Sequence, residues 1–254
     1  MTGEEKIALA NFLSLASDYI SCGHARNRES QVFSDDAPPP IDGENPPSAL
    51  PLAYMTEEPS DYAEDSLDAL AEEISVCQAC GLCATRKNTV PGEGVNRPLV
   101  MVIGEGPGAD EDAAGRPFVG KAGQLLDKML ASIALSRDKN CYIANMVKCR
   151  PPGNRDPDPQ EIAACFPFLE RQILMLRPQI ILCAGRIAAQ NLLKTNTGLN
   201  ALRGKFAELR VGETVFPVLS TYHPSAILRN ESYKRPAWED LKFLKSHLTI
   251  PDEE

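Results

Sequence analysis

Short apolar runs alternate with helical segments through most of this chain, and this alternation constrains the fold more than any other feature. Each run is a largely apolar stretch of a few residues, as in the buried strands of a parallel sheet. The predicted strands are residues 98–103, 141–147, 179–184 and 216–221. The predicted helices are residues 67–76, 124–135, 160–176, 187–193 and 237–248. This order predicts an α/β fold with three layers, α/β/α, around a central four-stranded, mainly parallel sheet.

The carboxyl ends of these strands are where a ligand is expected. In open α/β sheets, ligands bind in the crevice just beyond those ends. The chemistry of this chain should therefore lie in the segments that follow Ile103, Val147, Ala184 and Thr221.

The N-terminal part of the chain has a different composition from the rest. Residues 1–66 carry 13 acidic and 3 basic side chains, so their net charge is −10, whereas the whole chain has −9. We predict an amphipathic helix over 1–20 and an acidic, proline-rich disordered linker over 21–66, because such a stretch buries too little apolar surface to fold. Residues 1–20 could be a solvated tail or could dock on a partner protein. A globular catalytic domain is predicted over 67–250.

Composition excludes several classes of protein. The mean hydropathy is −0.24 and no apolar run approaches the ~18 residues of a membrane span. The first residues include Glu4 and Glu5 rather than the basic start of a secretory signal. We therefore expect a cytoplasmic monomer with no membrane contact, whose eight cysteines are thiols or metal ligands.

Four cysteines have the spacing of a metal site. Cys77 and Cys80 form a CxxC pair, while Cys149 follows a predicted strand and Cys165 lies in a predicted helix. Four thiolates suit either zinc or an iron–sulfur cluster, and the thiolates alone do not choose between them. Such a site would be structural, because it would fix residues 77–83 onto the domain. Cys141 and Cys183 lie within predicted strands and are expected to be core residues.

A glycine-rich loop follows the first predicted strand. Gly104, Gly106 and Ala109 match a degenerate dinucleotide-binding pattern. Pro107 stiffens this loop, however, and the acidic residues at 110–112 would repel a pyrophosphate. The loop suits a neutral ring near a developing cation better than a phosphate.

Five motifs together resemble family 4 uracil-DNA glycosylases, the iron–sulfur members of their superfamily. The motifs are GEGPGADED at 104–112, GRPFVGKAGQLL at 115–126, NMVKCRPP at 145–152, LRGK at 202–205 and HPSAILR at 223–229. The resemblance covers about residues 70–248. It implies a monofunctional DNA-repair enzyme that flips uracil out of single- or double-stranded DNA and hydrolyses its N-glycosidic bond, which leaves an abasic site.

The same resemblance implies a 4Fe–4S cluster as the cofactor. Its ligands would be Cys77, Cys80, Cys149 and Cys165. Cys83 has no counterpart in the family and is the one rival to Cys80 as a ligand.

The resemblance also implies the residues of the uracil pocket. His223 would donate a hydrogen bond to the uracil carbonyl where negative charge develops. Asn145 would distinguish uracil from cytosine through its amide, because an amide both donates and accepts. Phe118 would stack on the base, and Gly106 would line the pocket.

The carboxylates of the first motif have several candidate roles. The best-known family of the superfamily has an aspartate and a tyrosine where this chain has Gly106 and Gly108. Glu105 and Glu111 are therefore the remaining acidic candidates for catalysis. Glu111 would hold the water or exclude thymine, or would simply stabilise a helix start. Glu105 would shape the loop or bind the base through its backbone, and a carboxylate near the sugar would also stabilise the cationic transition state.

DNA contacts are expected around the last motif. Ile227 or Leu228 would fill the gap left by the flipped base. Basic side chains are candidates for phosphate contacts, namely Arg155, Arg203, Lys205 and Arg229, with Lys148 and Arg150 beside the second strand.

Two alternatives stay open from the sequence. One is the same fold with a broader or altered base specificity, and the other is a non-catalytic iron–sulfur protein that binds DNA. A covalent trap for the abasic site is disfavoured, because the chain shows no histidine near 115–118 and has only His24, His223 and His247.

Overall fold

The computed structural model describes residues 66–249, and its central element is one sheet of six strands. In spatial order they run β1, β3, β2, β4, β6, β5. The bounds are β1 Glu93–Gly94, β2 Val100–Gly104, β3 Cys141–Asn145, β4 Ile180–Ala184, β5 Phe206–Val211 and β6 Thr214–Thr221. The proposed helix over 1–20 and linker over 21–66 lie outside the described residues, apart from Ser66.

The parallel centre of the sheet confirms the predicted architecture. β2 pairs in parallel with both β3 and β4, and β4 pairs in parallel with β6. β2, β3 and β4 are buried at every position, which explains their continuous apolar sequences.

The sheet has two more strands than the four predicted. β1 joins β3 and β5 joins β6, each antiparallel and at an edge. β1 is only two residues long. β5 is partly exposed and lacks a continuous apolar run. Edge strands need less apolar sequence because one side has no strand neighbour, so these two strands lack the continuous apolar run that marks the central ones.

Helices cover both faces of the sheet and make the three layers. The α-helices in chain order are α1 Leu67–Ser75, α2 Ala109–Ala114, α3 Lys121–Ala131, α4 Pro159–Leu176, α5 Arg186–Leu192, α6 Leu199–Leu202, α7 Pro224–Arg229 and α8 Lys234–Ser246. Apolar residues of α3, α7 and α8 form one core with one face of the sheet. Residues of α4 and α5 form a second core on the opposite face.

The predicted helices are all present, with their bounds shifted by a few residues. α4 begins at Pro159 because Asp158 and Glu161 form a capping box, in which Glu161 accepts from the Asp158 N–H at 2.8 Å. The short helices α2, α6 and α7 were not predicted, since four to six residues are too few for a clear helical period. No helix in the described part of the chain has the length and apolar character needed to cross a membrane.

Candidate active site and cysteine site

A cavity of about 770 Å³ lies at the carboxyl edge of the parallel strands. The loops after β2, β3, β4 and β6 all contribute to its lining, as the strand order predicts. Several residues singled out in the sequence line it together, namely Glu105, Gly106, Glu111, Phe118, Asn145, Arg155, His223 and Arg229.

Asn145 is the last residue of β3 and is almost completely buried, with 1% of its surface exposed. Its side-chain oxygen Oδ1 has no hydrogen-bond partner among residues 66–249. A buried polar atom without a partner costs free energy in the folded protein. Because Asn145 lines the cavity, this oxygen is available to accept a hydrogen bond from a ligand.

Glycine at position 104 allows the pocket to form. Gly104 pairs with Asn145 across β2 and β3. A Cβ at Gly104 would lie 2.6 Å from Cζ of Phe118 and would also collide with Oδ1 of Asn145. Glycine therefore permits the aromatic ring and the amide to approach the same point.

Phe118 has a left-handed backbone, with φ of 52°, which is rare for a bulky residue. Arg137 holds it by donating from Nη2 to the Phe118 carbonyl at 3.0 Å. Gly123 of α3 packs directly beneath, where any Cβ would overlap the Phe118 backbone. The strained position is therefore fixed by contacts on two sides.

His223 caps the start of α7 and is held as a neutral imidazole. Burial lowers its pKa to about 4, and the nearby Arg229 charge acts in the same direction. The Ser225 backbone N–H donates to Nδ1 at 3.1 Å. Nδ1 is therefore the unprotonated nitrogen, and in the neutral ring the proton resides on Nε2. This tautomer makes Nε2 a donor.

The carboxylate of Glu111 is occupied by the backbone of its own loop. It accepts from the N–H groups of Gly108 at 3.1 Å, Val119 at 2.9 Å and Gly120 at 2.9 Å. The first of these bonds belongs to the capping box of α2. Glu111 thus joins the glycine loop to the segment that carries Phe118.

Glu105 is the half-buried carboxyl group of the cavity. Burial raises its pKa to about 7, and repulsion from Asp156 adds to the rise. Arg186 and Arg229 oppose the shift. A carboxyl group with a pKa near neutrality in a cavity is typical of catalytic sites.

Some cavity residues were missed by the sequence analysis. Tyr222 stacks on Tyr233 with ring centroids 4.3 Å apart, and its hydroxyl donates to Asn200 at 2.6 Å. Arg186 pairs with Asp156 at 2.9 Å. Tyr222 directly follows β6, and Arg186 comes two residues after the end of β4. Both therefore lie at the carboxyl ends of strands, where ligands are expected to bind.

Three residues expected at the DNA surface are buried instead. Arg203 forms an ion pair with Asp240 at 2.9 Å and is 9% exposed at its side chain. Ile227 is 1% exposed and belongs to the core. Lys148 is also 1% exposed. These positions correct the expected phosphate contacts of Arg203 and Lys148 and the expected wedge role of Ile227.

The other expected DNA contacts remain closer to the surface. Leu228 is only partly buried, and Lys205 and Arg229 are exposed. Arg155 is exposed but pairs with Glu161 at 2.7 Å.

The four expected cysteine ligands line one small cavity, together with Cys83. Three sulfur atoms accept hydrogen bonds there. Cys77 accepts from a backbone N–H at 3.5 Å, Cys165 from the Lys148 N–H at 3.3 Å, and Cys149 from Arg86 Nη1 at 3.4 Å. Donors of this kind stabilise thiolates that bind a metal centre. Five cysteines line this cavity together with two cationic residues, Arg86 and Lys148, and this set fits a thiolate-bound group.

The other two described cysteines are core residues, as predicted. Cys141 and Cys183 are fully buried within strands. Burial raises the pKa of each thiol to about 12. Neither of them lines the cysteine cavity.

Comparison with known proteins gives consistent matches. The family model described as "Uracil DNA glycosylase superfamily" matches residues 91–242. A protein named "Type-4 uracil-DNA glycosylase" from Saccharolobus solfataricus is 44% identical over 190 residues, which cover 73% of this chain and 88% of the relative. Proteins of the same name are 43% identical in Archaeoglobus fulgidus, with coverage of 70% and 91%, and 39% identical in Thermotoga maritima, with coverage of 73% and 96%.

The matched region contains the whole parallel sheet and most of the residues that line the cavity. Both the superfamily model and the relatives cover more than half of the chain. The chain therefore belongs to the type-4 family of the uracil-DNA glycosylase superfamily.

Proposed function

We propose that this protein excises uracil from DNA by hydrolysing the bond between the base and deoxyribose. The observation that carries this proposal is the buried Oδ1 of Asn145, which has no hydrogen-bond partner in the described part of the chain and lies in the cavity with Phe118 and His223. Enzymes that act on a base flip it from the duplex into a pocket and read its hydrogen-bonding edge. The names of the relatives support the same activity.

Asn145 would recognise the base. Its Oδ1 would accept the hydrogen of the uracil ring N–H, and its amide NH₂ would donate to the adjacent carbonyl. Cytosine lacks that ring hydrogen and carries an amino group in place of the carbonyl. A pocket built around Asn145 therefore favours uracil.

His223 would stabilise the departing base. Uracil leaves as an anion, and a neutral imidazole with its proton on Nε2 can donate to the carbonyl where the charge grows. The low pKa of His223 keeps the ring neutral at physiological pH. Phe118 would stack on the base, and such stacking contributes about 1–3 kcal/mol per base.

Glu105 is the carboxyl group that we place near the reacting sugar. The sugar becomes cation-like as the bond breaks, and a carboxylate stabilises that charge or holds the attacking water. Glu111 is less suited, because its oxygens already accept three backbone N–H groups. Glu111 would instead fix the position of the glycine loop relative to Phe118, the residue that would stack on the base.

The DNA would lie across the mouth of the cavity. Leu228 would fill the space left by the flipped base, and Arg229, Lys205 and Arg155 would contact phosphates. Such contacts fix the position of the duplex and make affinity fall with salt.

A 4Fe–4S cluster is the cofactor that we propose, with Cys77, Cys80, Cys149 and Cys165 as ligands. Among the described residues, no three His, Cys, Asp or Glu side chains converge closely enough to hold a single ion. In a cluster each thiolate binds a different iron, so the ligands lie further apart than around zinc. When bound, the cluster would tie the segment at 77–83 to α4 and to the end of β3.

We further propose a cytoplasmic monomer whose residues 1–20 dock on a partner protein. The acidic, proline-rich composition of residues 21–66 would make that segment a tether. Light scattering of the full chain would give its oligomeric state, and deletion of residues 1–20 should leave excision by the domain unchanged.

The decisive experiment is excision from an oligonucleotide with one uracil opposite guanine, followed by alkaline cleavage of the abasic site. We expect cleavage only at uracil, and a loss of about a hundredfold or more in Asn145→Ala. Asn196→Ala is the matched control, because Asn196 is exposed and does not line the cavity. Parallel substrates with thymine or hypoxanthine test a broader specificity. DNA binding without release of any base would contradict the proposal and favour a non-catalytic DNA-binding protein.

A further inference from the structure

Lys148 is a fully buried lysine between the cysteine site and Asn145. Its side chain is 1% exposed, and it is among the residues that line the cysteine cavity. Burying an ammonium group away from water is costly unless other groups compensate its charge. A lysine at this position therefore requires compensating interactions.

The ammonium group of Lys148 contacts the pocket residue directly. Nζ donates to the backbone carbonyl of Asn145 at 3.0 Å and to Oε1 of Gln172 at 2.7 Å. Gln172 is in turn fixed, because its Nε2 donates to the Pro91 carbonyl at 2.9 Å. Lys148 thus holds the end of β3 at the residue that would read the base.

The backbone of Lys148 contacts the cysteine site. Its N–H donates to Sγ of Cys165 at 3.3 Å, and the next residue along the chain is Cys149. One residue therefore connects two of the proposed cluster ligands with Asn145.

No carboxylate in the described part of the chain compensates the charge of Lys148. Within residues 66–249, no carboxylate forms an ion pair with Lys148. Four thiolates carry more negative charge than either zinc or an oxidised 4Fe–4S core neutralises, so a loaded cysteine site is anionic. Arg86 donates to Sγ of Cys149 on the same site. Lys148 and Arg86 both line the cysteine cavity, so two cationic residues border one group that becomes negative when it is loaded.

We infer that Lys148 is a positioning residue that couples the loaded cysteine site to uracil recognition. The negative charge of the loaded site stabilises the buried ammonium group, and the ammonium group holds the Asn145 carbonyl in place. This inference rests on the proposed glycosylase activity and on the proposed cofactor.

The test compares Lys148→Met with Arg86→Met and with Lys245→Met, all purified anaerobically as full chains. Lys245→Met is the matched control, because it removes an exposed lysine from the last turn of α8. Four quantities are measured: metal and sulfide per chain, reduction potential, single-turnover uracil excision per loaded chain, and affinity for an abasic-site duplex.

We expect Lys148→Met to change two quantities at once. The reduction potential should move to more negative values, because the variant lacks a cation that stabilises the reduced cluster. Excision per loaded chain should fall roughly tenfold or more, as for loss of a charged hydrogen bond. Affinity for the abasic duplex should stay within about twofold, because that product has no base for Asn145 to read. In Arg86→Met the potential should also shift, but excision should follow metal content alone.

Other outcomes separate the inference from the proposals beneath it. If the unaltered protein excises uracil and holds a cluster while Lys148→Met keeps both potential and rate, the coupling is wrong and the proposed function stands. If the unaltered protein releases no uracil, the proposed function itself fails. If it binds zinc, the cofactor proposal fails, and the coupling is then judged by zinc retention against a chelator together with the excision rate. Lys148→Gln, which keeps a donor but not the charge, serves if Lys148→Met does not fold.

Discussion

The ring of Phe118 lies 5.6 Å from the ring of His223, measured between centroids, and the two planes are inclined by 33°. The two rings come from distant parts of the sequence, one from the loop before α3 and the other from the turn after β6. They meet beside Asn145 in the cavity. The stacking platform and the proposed donor to the leaving base are thus placed together by the fold.

Phe118→Ala should slow uracil excision by about tenfold to a hundredfold, because stacking on a flipped base contributes about 1–3 kcal/mol. Single-turnover rates on uracil DNA would measure this loss. Affinity for an abasic duplex should change little. An unchanged rate would mean that the base does not stack on this ring.

The pH dependence of excision should report Glu105. Its raised pKa of about 7 means that the carboxylate form increases as the pH rises through neutrality. If the carboxylate is the active form, the rate increases between about pH 6 and 8 and then levels off. His223 is neutral down to about pH 4 and adds no titration in this range. Glu105→Gln should lower the plateau and remove the slope, whereas a slope that persists in that variant would belong to another group.

Glu111→Gln should destabilise the site more than an ordinary surface change. The amide keeps only one oxygen for the three N–H groups that the carboxylate accepts. We expect a loss of about 1–3 kcal/mol in the free energy of unfolding, with slower excision, because the loop then releases Phe118. Chemical denaturation measures the first effect. Glu213→Gln, in the exposed turn between β5 and β6, is the control.

Substitutions of Arg203 and Arg229 should have opposite effects on stability and on the salt dependence of DNA binding: the first should lower only stability, and the second should change only the salt dependence. Arg203→Met leaves the Asp240 carboxylate buried without its partner and should cost about 3–5 kcal/mol of stability. The salt dependence of DNA binding should be unaffected in the folded fraction. Arg229→Gln should leave stability nearly unchanged and lower the salt slope by about one. A reduced slope in Arg203→Met would show that Arg203 reaches phosphate after all.

The central strands could be predicted because burial on both faces demands continuous apolar sequence, as in Val100–Gly104. The edge strand Phe206–Val211 could not, because its exposed positions carry polar residues. Asn145 and His223 line the cavity, where the family resemblance and their places at strand ends predict them. The burial of Arg203 and Ile227 was not predictable, because it depends on α8 packing against the end of β6. Nor does the sequence show that Glu111 faces three N–H groups.

The contact between Gly123 and the Phe118 backbone has a consequence for binding. Phe118, which would receive the base, packs on the first turns of α3, in a backbone conformation that this packing and the Arg137 hydrogen bond sustain. The conformational entropy of the Phe118 segment is therefore lost when the protein folds, before DNA binds. The pocket is preorganised around Phe118. The free energy of association can therefore drive extrusion of the nucleotide, because little of it is needed to order the pocket.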